Sequence, residues 1–500
     1  MEDLVRFLFS KDGFSFLVVG VIVMWVIYRS YIRVVYTPTQ IKHRWGSLNP
    51  SYFFYRNQLR GLRWALPRTI KWALGKTGER KLYLNNFSFS SEVSRFSKFT
   101  KWISNNTKAY LSINDLRKQL LIFGEMGTGK TEFLWNLLYQ LDEHRAVIFD
   151  VKGDFHESLC DGKRAWSANP FDENGRIWNI FEEENFWEVA DFFSKNIINS
   201  AVGSEERNFF TTSAADRICK ILEKTYLKKE RVEVWGEFSK EIDQYQKDAF
   251  KAQEHKENMD VYNNVILVLE FLKFWAWRAQ QKNVKFFNIS DFFKSNEKMI
   301  LHSNNIKTKS FFAGLLSAIV YKHSTLQDLK KDEDNYTVYL LDEYLQLDME
   351  DNARTALHTF LRSKGGLPII GTQKLPTNDK HSSELISSSF GIILFSIGDE
   401  KTRKYLEGAF DQVEFKEFIK EGKDKYRQEV RSKPFISAQQ IIEIPQFNHL
   451  SLMKRAGKGG LYYLAKTDLI DKDDFGVFKP LKFKKVDESE FKASLYQATE

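Results

Sequence analysis

The apolar positions follow two rhythms. Short continuous runs such as Leu120-Leu-Ile-Phe123 are bounded by polar residues, as in strands buried on both faces of a sheet. Similar runs recur at 146–149, 298–302, 336–341, 367–373 and 389–395. Between them, apolar residues return every three or four positions. Phe133, Leu134, Leu137, Leu138 and Leu141 predict a helix over 132–141, and further helices are expected over 309–321 and 351–361. Strands alternating with helices predict an α/β fold on a parallel sheet.

Two stretches break this alternation. From Phe186 to about Ser295 the steps are helical (Val189, Phe192, Phe193, Ile197) with no strand alternation, which predicts an inserted all-α subdomain. Within it, 261–279 is strongly apolar, but Glu270, Lys273 and Arg278 suit a bundle helix better than a membrane span. The second stretch, Phe14–Tyr28, carries no charge. As helix it covers about 22 Å against a hydrocarbon core of about 30 Å. The span is therefore expected to continue through Val35, with Arg29 and Arg33 reaching the head groups. Trp25, Tyr28, Tyr31 and Tyr36 form an interfacial belt. The start lacks the basic region and small-residue cleavage site of a signal peptide, so a retained anchor is expected.

Composition narrows the picture. Five hundred residues exceed one compact core and suggest two or three domains. Two distant cysteines, Cys160 and Cys219, exclude a disulfide framework or a cysteine metal cluster. The net charge of +8 is uneven: Arg29–Lys118 holds 18 Lys and Arg against three acidic residues. That block belongs beside an anionic partner, either lipid head groups or nucleic acid. The positive-inside rule then puts everything after Tyr28 in the cytoplasm.

Chemistry enters at Gly124-Glu125-Met126-Gly127-Thr128-Gly129-Lys130-Thr131, which fits G-x-x-x-x-G-K-[ST] between a strand and a helix. The glycines let backbone N–H groups converge on phosphate oxygens at a helix N-terminus. Lys130 is expected to reach the β- and γ-phosphates of ATP, and the Thr131 hydroxyl to bind Mg²⁺. A second acidic strand is needed, and Tyr336–Leu341 followed by Asp342-Glu343 supplies it. Asp342 is expected in the metal's shell and Glu343 as the base for the attacking water. Gln373, at the end of the run 367–373, can sense the γ-phosphate or simply cap a loop. Arg362 can act as an arginine finger in a neighbour's site, or be a helix C-terminal cation.

The chain resembles the type IV secretion coupling proteins of the TraD/TrwB/TraG kind, which are FtsK/HerA-like P-loop ATPases. The features come in the same order: a membrane segment, GEMGTGKT, VIFDVKGDF at 147–155, Asn169-Pro-Phe-Asp172, Trp178-Asn179, a helical insertion, LLDEY at 340–344 and GTQK at 371–374. The resemblance covers about residues 120–464. It implies a RecA-like motor domain, a homo-hexameric ring, and delivery of single-stranded DNA with its relaxase to inner-membrane secretion components. It also implies roles for Gln373 as coupling glutamine and Arg362 as trans-acting arginine. Relatives usually carry two membrane helices, whereas one is evident here. The expected organisation is a membrane anchor at 1–36, a basic juxtamembrane region at 37–118, motor segments at 119–182 and 296–480, and the all-α domain at 183–295. A charged, poorly ordered tail at 481–500 completes it. The competing readings are a receptor for protein effectors and an ATP-gated assembly scaffold.

Overall fold

The computed structural model describes residues 58–60, 81–88, 108–203, 209–251, 256–303, 306–325, 336–376, 378–410, 412–420, 426–434, 436–453, 461–466 and 480–497. The expected anchor at 1–36 lies outside the described residues. Among the described residues, no helix is long and apolar enough to cross a membrane. The chain divides into two compact units, Met1–Arg63 with Phe410–Phe435, and Trp64–Ala409 with Ile436–Glu500.

In chain order the strands are β1 (Gln58–Arg60), β2 (Lys81–Ser88), β3 (Lys108–Ser112), β4 (Leu120–Phe123), β5 (Arg145–Asp150) and β6 (Ala165–Ser167). They continue with β7 (Arg176–Trp178), β8 (Lys285–Phe287), β9 (Lys298–His302), β10 (Thr337–Leu341) and β11 (Gly366–Thr372). The last are β12 (Gly391–Leu394), β13 (Gln412–Lys420), β14 (Tyr426–Pro434), β15 (Asn448–Met453) and β16 (Leu461–Lys466). The first unit holds the antiparallel sheet β1-β13-β14.

In the second unit, eleven strands form one sheet in the order β3-β2-β16-β15-β12-β4-β11-β10-β5-β9-β6. From β12 to β6 every neighbouring pair is parallel. The strands β4, β5, β9, β10, β11 and β12 are buried along their whole length, which is why each reads as an apolar run rather than an alternation. The four strands β15, β16, β2 and β3 extend the sheet antiparallel, so two segments of the basic region lie within it. Register aligns the strand ends: Leu341 sits beside Phe149, and Phe123 beside both Thr372 and Leu394.

The principal helices are α1 (Lys130–Gln140), α2 (Asp154–Leu159), α3 (Phe186–Val202), α4 (Phe209–Lys228), α5 (Val234–Lys251), α6 (Lys256–Ala279) and α7 (Ile306–Thr325). Four of them, α3 to α6, form the block between β7 and β8, and α7 packs along α3. Its centre is aromatic: Trp275, fully buried, meets the rings of Trp235 at 5.3 Å, Phe311 at 5.4 Å, Phe193 at 5.6 Å and Trp178 at 5.9 Å. The Trp275→Ala variant is expected to lose about 3–5 kcal/mol, read as a lower urea midpoint of unfolding.

Three expectations change. The helical stretch does not run to Ser295, because β8 pairs in parallel with β7. Three residues (KFF) are too few to show a period. The helix expected over 351–361 is α-helical only over Asp351–Thr355; a π-helical turn, Ala356–Phe360, and a 3₁₀ turn, Leu361–Lys364, follow. The tail docks over residues 481–497. The Leu481 N–H donates to the Cys160 carbonyl (2.6 Å), the Val486 N–H to the Phe171 carbonyl (3.0 Å), and Ser489–Gln497 is helical. Scattered apolar residues drive this: Val486 and Phe491 are buried, and Phe491 meets Phe274 and Trp277.

A candidate nucleotide-hydrolysis site

The loop after β4 runs straight into α1. Gly127 (φ 79°) and Gly129 (φ 109°) hold left-handed backbone, which lets the loop curl over the helix N-terminus. Its frame comes from both neighbouring strands: the Gly124 N–H donates to the Thr372 carbonyl (3.1 Å), and the Glu125 N–H to the Ser396 carbonyl (3.1 Å). Glu125 and Met126 are exposed at the tip, and the Thr128 hydroxyl donates back to the Glu125 carbonyl (2.8 Å). Thr131 lies in the first turn of α1, half-buried.

Because β4, β11, β10 and β5 end in register, four separate segments converge. Lys130 Nζ lies 2.9 Å from Asp342 Oδ1 and donates to Glu343 Oε1 at 2.7 Å. Gln373 Nε2 donates to the same Glu343 oxygen at 2.6 Å. Lys130, Asp342 and Glu343 are 2%, 3% and 5% exposed, so one ammonium offsets two buried carboxylates. Asp342 Oδ1 faces that ammonium as an ion pair without hydrogen-bond geometry. A Cβ at Gly371 would come within 3.0 Å of this oxygen. The Asp342 oxygen without a hydrogen-bond donor and the Thr131 hydroxyl at the helix start are hard oxygens of the kind Mg²⁺ takes. Glu343 itself sits in left-handed backbone (φ 58°, ψ 43°), a conformation costing a non-glycine residue about 1–3 kcal/mol and concentrated at functional sites.

Beside the pair, Asp150 ends β5. Its carboxylate accepts the N–H groups of Gly153 and His156, both at 2.8 Å, and so caps α2. Burial pushes its pKa up to about 6, against those two hydrogen bonds, with Asp154 and Asp342 adding repulsion. The Asn169–Asp172 motif is structural. The Asn169 amide donates to the His302 carbonyl (2.9 Å), Asp172 meets His156 Nε2 at 3.0 Å, and Phe171 stacks on Phe274 at 4.1 Å. Burial opposes but does not prevent a raised His156 pKa of about 9, set by hydrogen bonds and charge from Asp172 and Cys160.

Arg362 stands elsewhere. It is exposed in the turn before β11, with the seven residues of that strand, about 20 Å, between it and Thr372. Its carbonyl accepts from Arg117 Nε and Nη2 at 3.0 and 2.8 Å. It therefore does not join its own chain's cluster. Sequence reasoning also missed neighbours. Lys152 Nζ lies 3.8 Å from Glu343 Oε1. Gln446 donates to the Gly127 carbonyl (2.8 Å), and the Phe447 N–H to the Thr128 carbonyl (2.9 Å). Phe447, at φ 58°, presses on Gly129. The Asp-x-Lys-Gly-Asp motif carried a signal for Lys152, whereas nothing local marks residues more than 300 positions beyond the loop.

The family model for the type IV secretion-system coupling protein DNA-binding domain matches residues 107–455. The chain belongs to the type IV secretion-system coupling proteins. Solved structures agree on the fold of this coupling protein. A bacterial conjugative coupling protein, TrwBdeltaN70 in its unbound monoclinic form, is 16% identical with TM-score 0.61, covering 83% of this chain and 95% of that one. TrwB bound to a non-hydrolysable ATP analogue, ADPNP, is 14% identical with TM-score 0.60, covering 85% and 96%. TrwB bound to ADP and Mg²⁺ is 15% identical with TM-score 0.58, covering 86% and 98%. No curated protein matches the chain.

Proposed function

We propose that the chain is a membrane-anchored ATPase that drives DNA through a conjugative type IV secretion system. The observation that carries this reading is the meeting of Lys130, Asp342, Glu343 and Gln373 past the carboxyl ends of the central strands β4, β10 and β11. In this proposal residues 124–131 bind the phosphates of ATP, and Thr131 and Asp342 hold Mg²⁺, which would neutralise developing phosphate charge. Glu343 takes the proton of the attacking water, and Gln373 keeps that carboxylate aimed while linking it to β11. TrwB, which shares the fold, takes both an ATP analogue and ADP with Mg²⁺. Support for DNA as partner is the matched DNA-binding domain together with the basic block at 29–118.

Arg362 then serves a second copy of the chain, within a homo-hexamer. The uncharged span at 14–28 anchors the assembly in the bacterial inner membrane, its basic flank meeting anionic lipid, with the motor in the cytoplasm. There it passes single-stranded DNA and a relaxase to the secretion components. ATP turnover of the full-length chain, with Mg²⁺ and with or without single-stranded DNA, tests this. The expected result is turnover stimulated severalfold by DNA, the stimulation weakening steeply with salt. Turnover indifferent to DNA at low salt would replace the DNA pump with the protein-effector receptor.

A further inference from the structure

We infer that Lys152 is a positioning residue for hydrolysis, holding the Glu343 carboxylate when Lys130 turns to phosphate. This rests on the ATPase reading above. Lys152 belongs to the turn between β5 and α2. Asp150 fixes that turn by accepting the Gly153 and His156 N–H groups, and Gly153 supplies the left-handed residue it needs (φ 88°). The strand pairing Leu341 with Phe149 then brings the turn alongside the acid pair. Lys152 Nζ stops 3.8 Å from Glu343 Oε1, and its side chain is 26% exposed, so it approaches from the solvent side of a buried carboxylate.

Charge bookkeeping shows why a second cation belongs there. The groups facing Glu343 are Lys130 at 2.7 Å, the neutral Gln373 amide at 2.6 Å, Lys152 at 3.8 Å and the adjoining Asp342. Lys130 serves both carboxylates at once. A P-loop lysine engaged with the β- and γ-phosphates gives two of its three donors to them, and its single charge is then shared between the phosphates and the carboxylates. A metal ion compensates Asp342, but Glu343 would keep only a share of the Lys130 charge and a neutral amide. A buried carboxylate without a cation is costly, and Lys152 is the ammonium already within ion-pair distance of it. Its partial exposure leaves the freedom to close the remaining gap.

Two readouts on the full-length chain test the inference. In steady-state turnover, Lys152→Met is expected to lower kcat about 10–100-fold, the effect of losing an outer-shell orienting partner. KM should stay within about threefold, and Lys152→Arg should recover most of the loss. The second readout needs no nucleotide. If the two lysines substitute for each other at Glu343, the melting temperature of the Lys130→Met, Lys152→Met double variant falls by more than the sum of the single shifts. Wild-type kcat in Lys152→Met, an effect confined to KM, or additive melting shifts would overturn the inference while the ATPase reading stands. A wild-type chain without turnover would overturn both.

Discussion

Lys130→Ala is expected to abolish nucleotide binding: affinity for an ATP analogue should fall at least about 100-fold, the scale of losing a charge-assisted phosphate contact. Binding to the native state raises the melting temperature, so the wild-type chain should be stabilised by Mg-nucleotide and the variant should not. The geometry adds a second effect. Lys130 neutralises Asp342 and Glu343 from within a site nearly closed to water. Removing one partner of a buried ion pair costs about 3–5 kcal/mol. The nucleotide-free variant should therefore melt earlier than the wild-type chain, with Lys152 limiting the damage. Nucleotide-dependent stabilisation that survives in Lys130→Ala would remove the loop from the binding site, whatever the motif suggests.

Glu343→Gln should separate binding from chemistry. The amide is close in size to the carboxylate and can still accept from Gln373, but it cannot take a proton. Turnover is expected to fall about 10²–10⁴-fold, with affinity for the ATP analogue within a few-fold of wild type. Single-turnover measurement with tight-bound ATP checks this directly. Normal turnover would transfer the role of base to another group, and Asp150, with its raised pKa and its place at the end of β5, would be the first to test.

Much of this site was legible because it is built from strand ends. Buried parallel strands announce themselves as apolar runs, so the residue after each run marks the functional edge: Gly124 after Phe123, Asp342 after Leu341 and Gln373 after Thr372. The spacing of glycines around Lys130 supplied the remaining anchor. What stayed hidden depends on pairing between distant segments. Nothing in Pro445-Gln446-Phe447 signals that it braces the glycine loop. For Arg362 the sequence offered a role in a neighbour's site or that of a helix C-terminal cation, and β11 separates it from its own chain's cluster. The helical block was readable as a class from its three- and four-residue steps. The strand pair β7–β8 beneath it was not, being only three residues long on each side.

The docked tail has a bearing on how this protein is made. The Lys484 N–H donates to the Asp172 carboxylate, 312 positions earlier in the chain. At about 5–20 residues per second, the ribosome finishes the second partner roughly 15–60 seconds after the first. Phe274 and Trp277 wait a shorter time, roughly 10–45 seconds at the same rate, for Phe491, which covers one face of each. The earlier elements must hold together without this clasp until that stretch has been made.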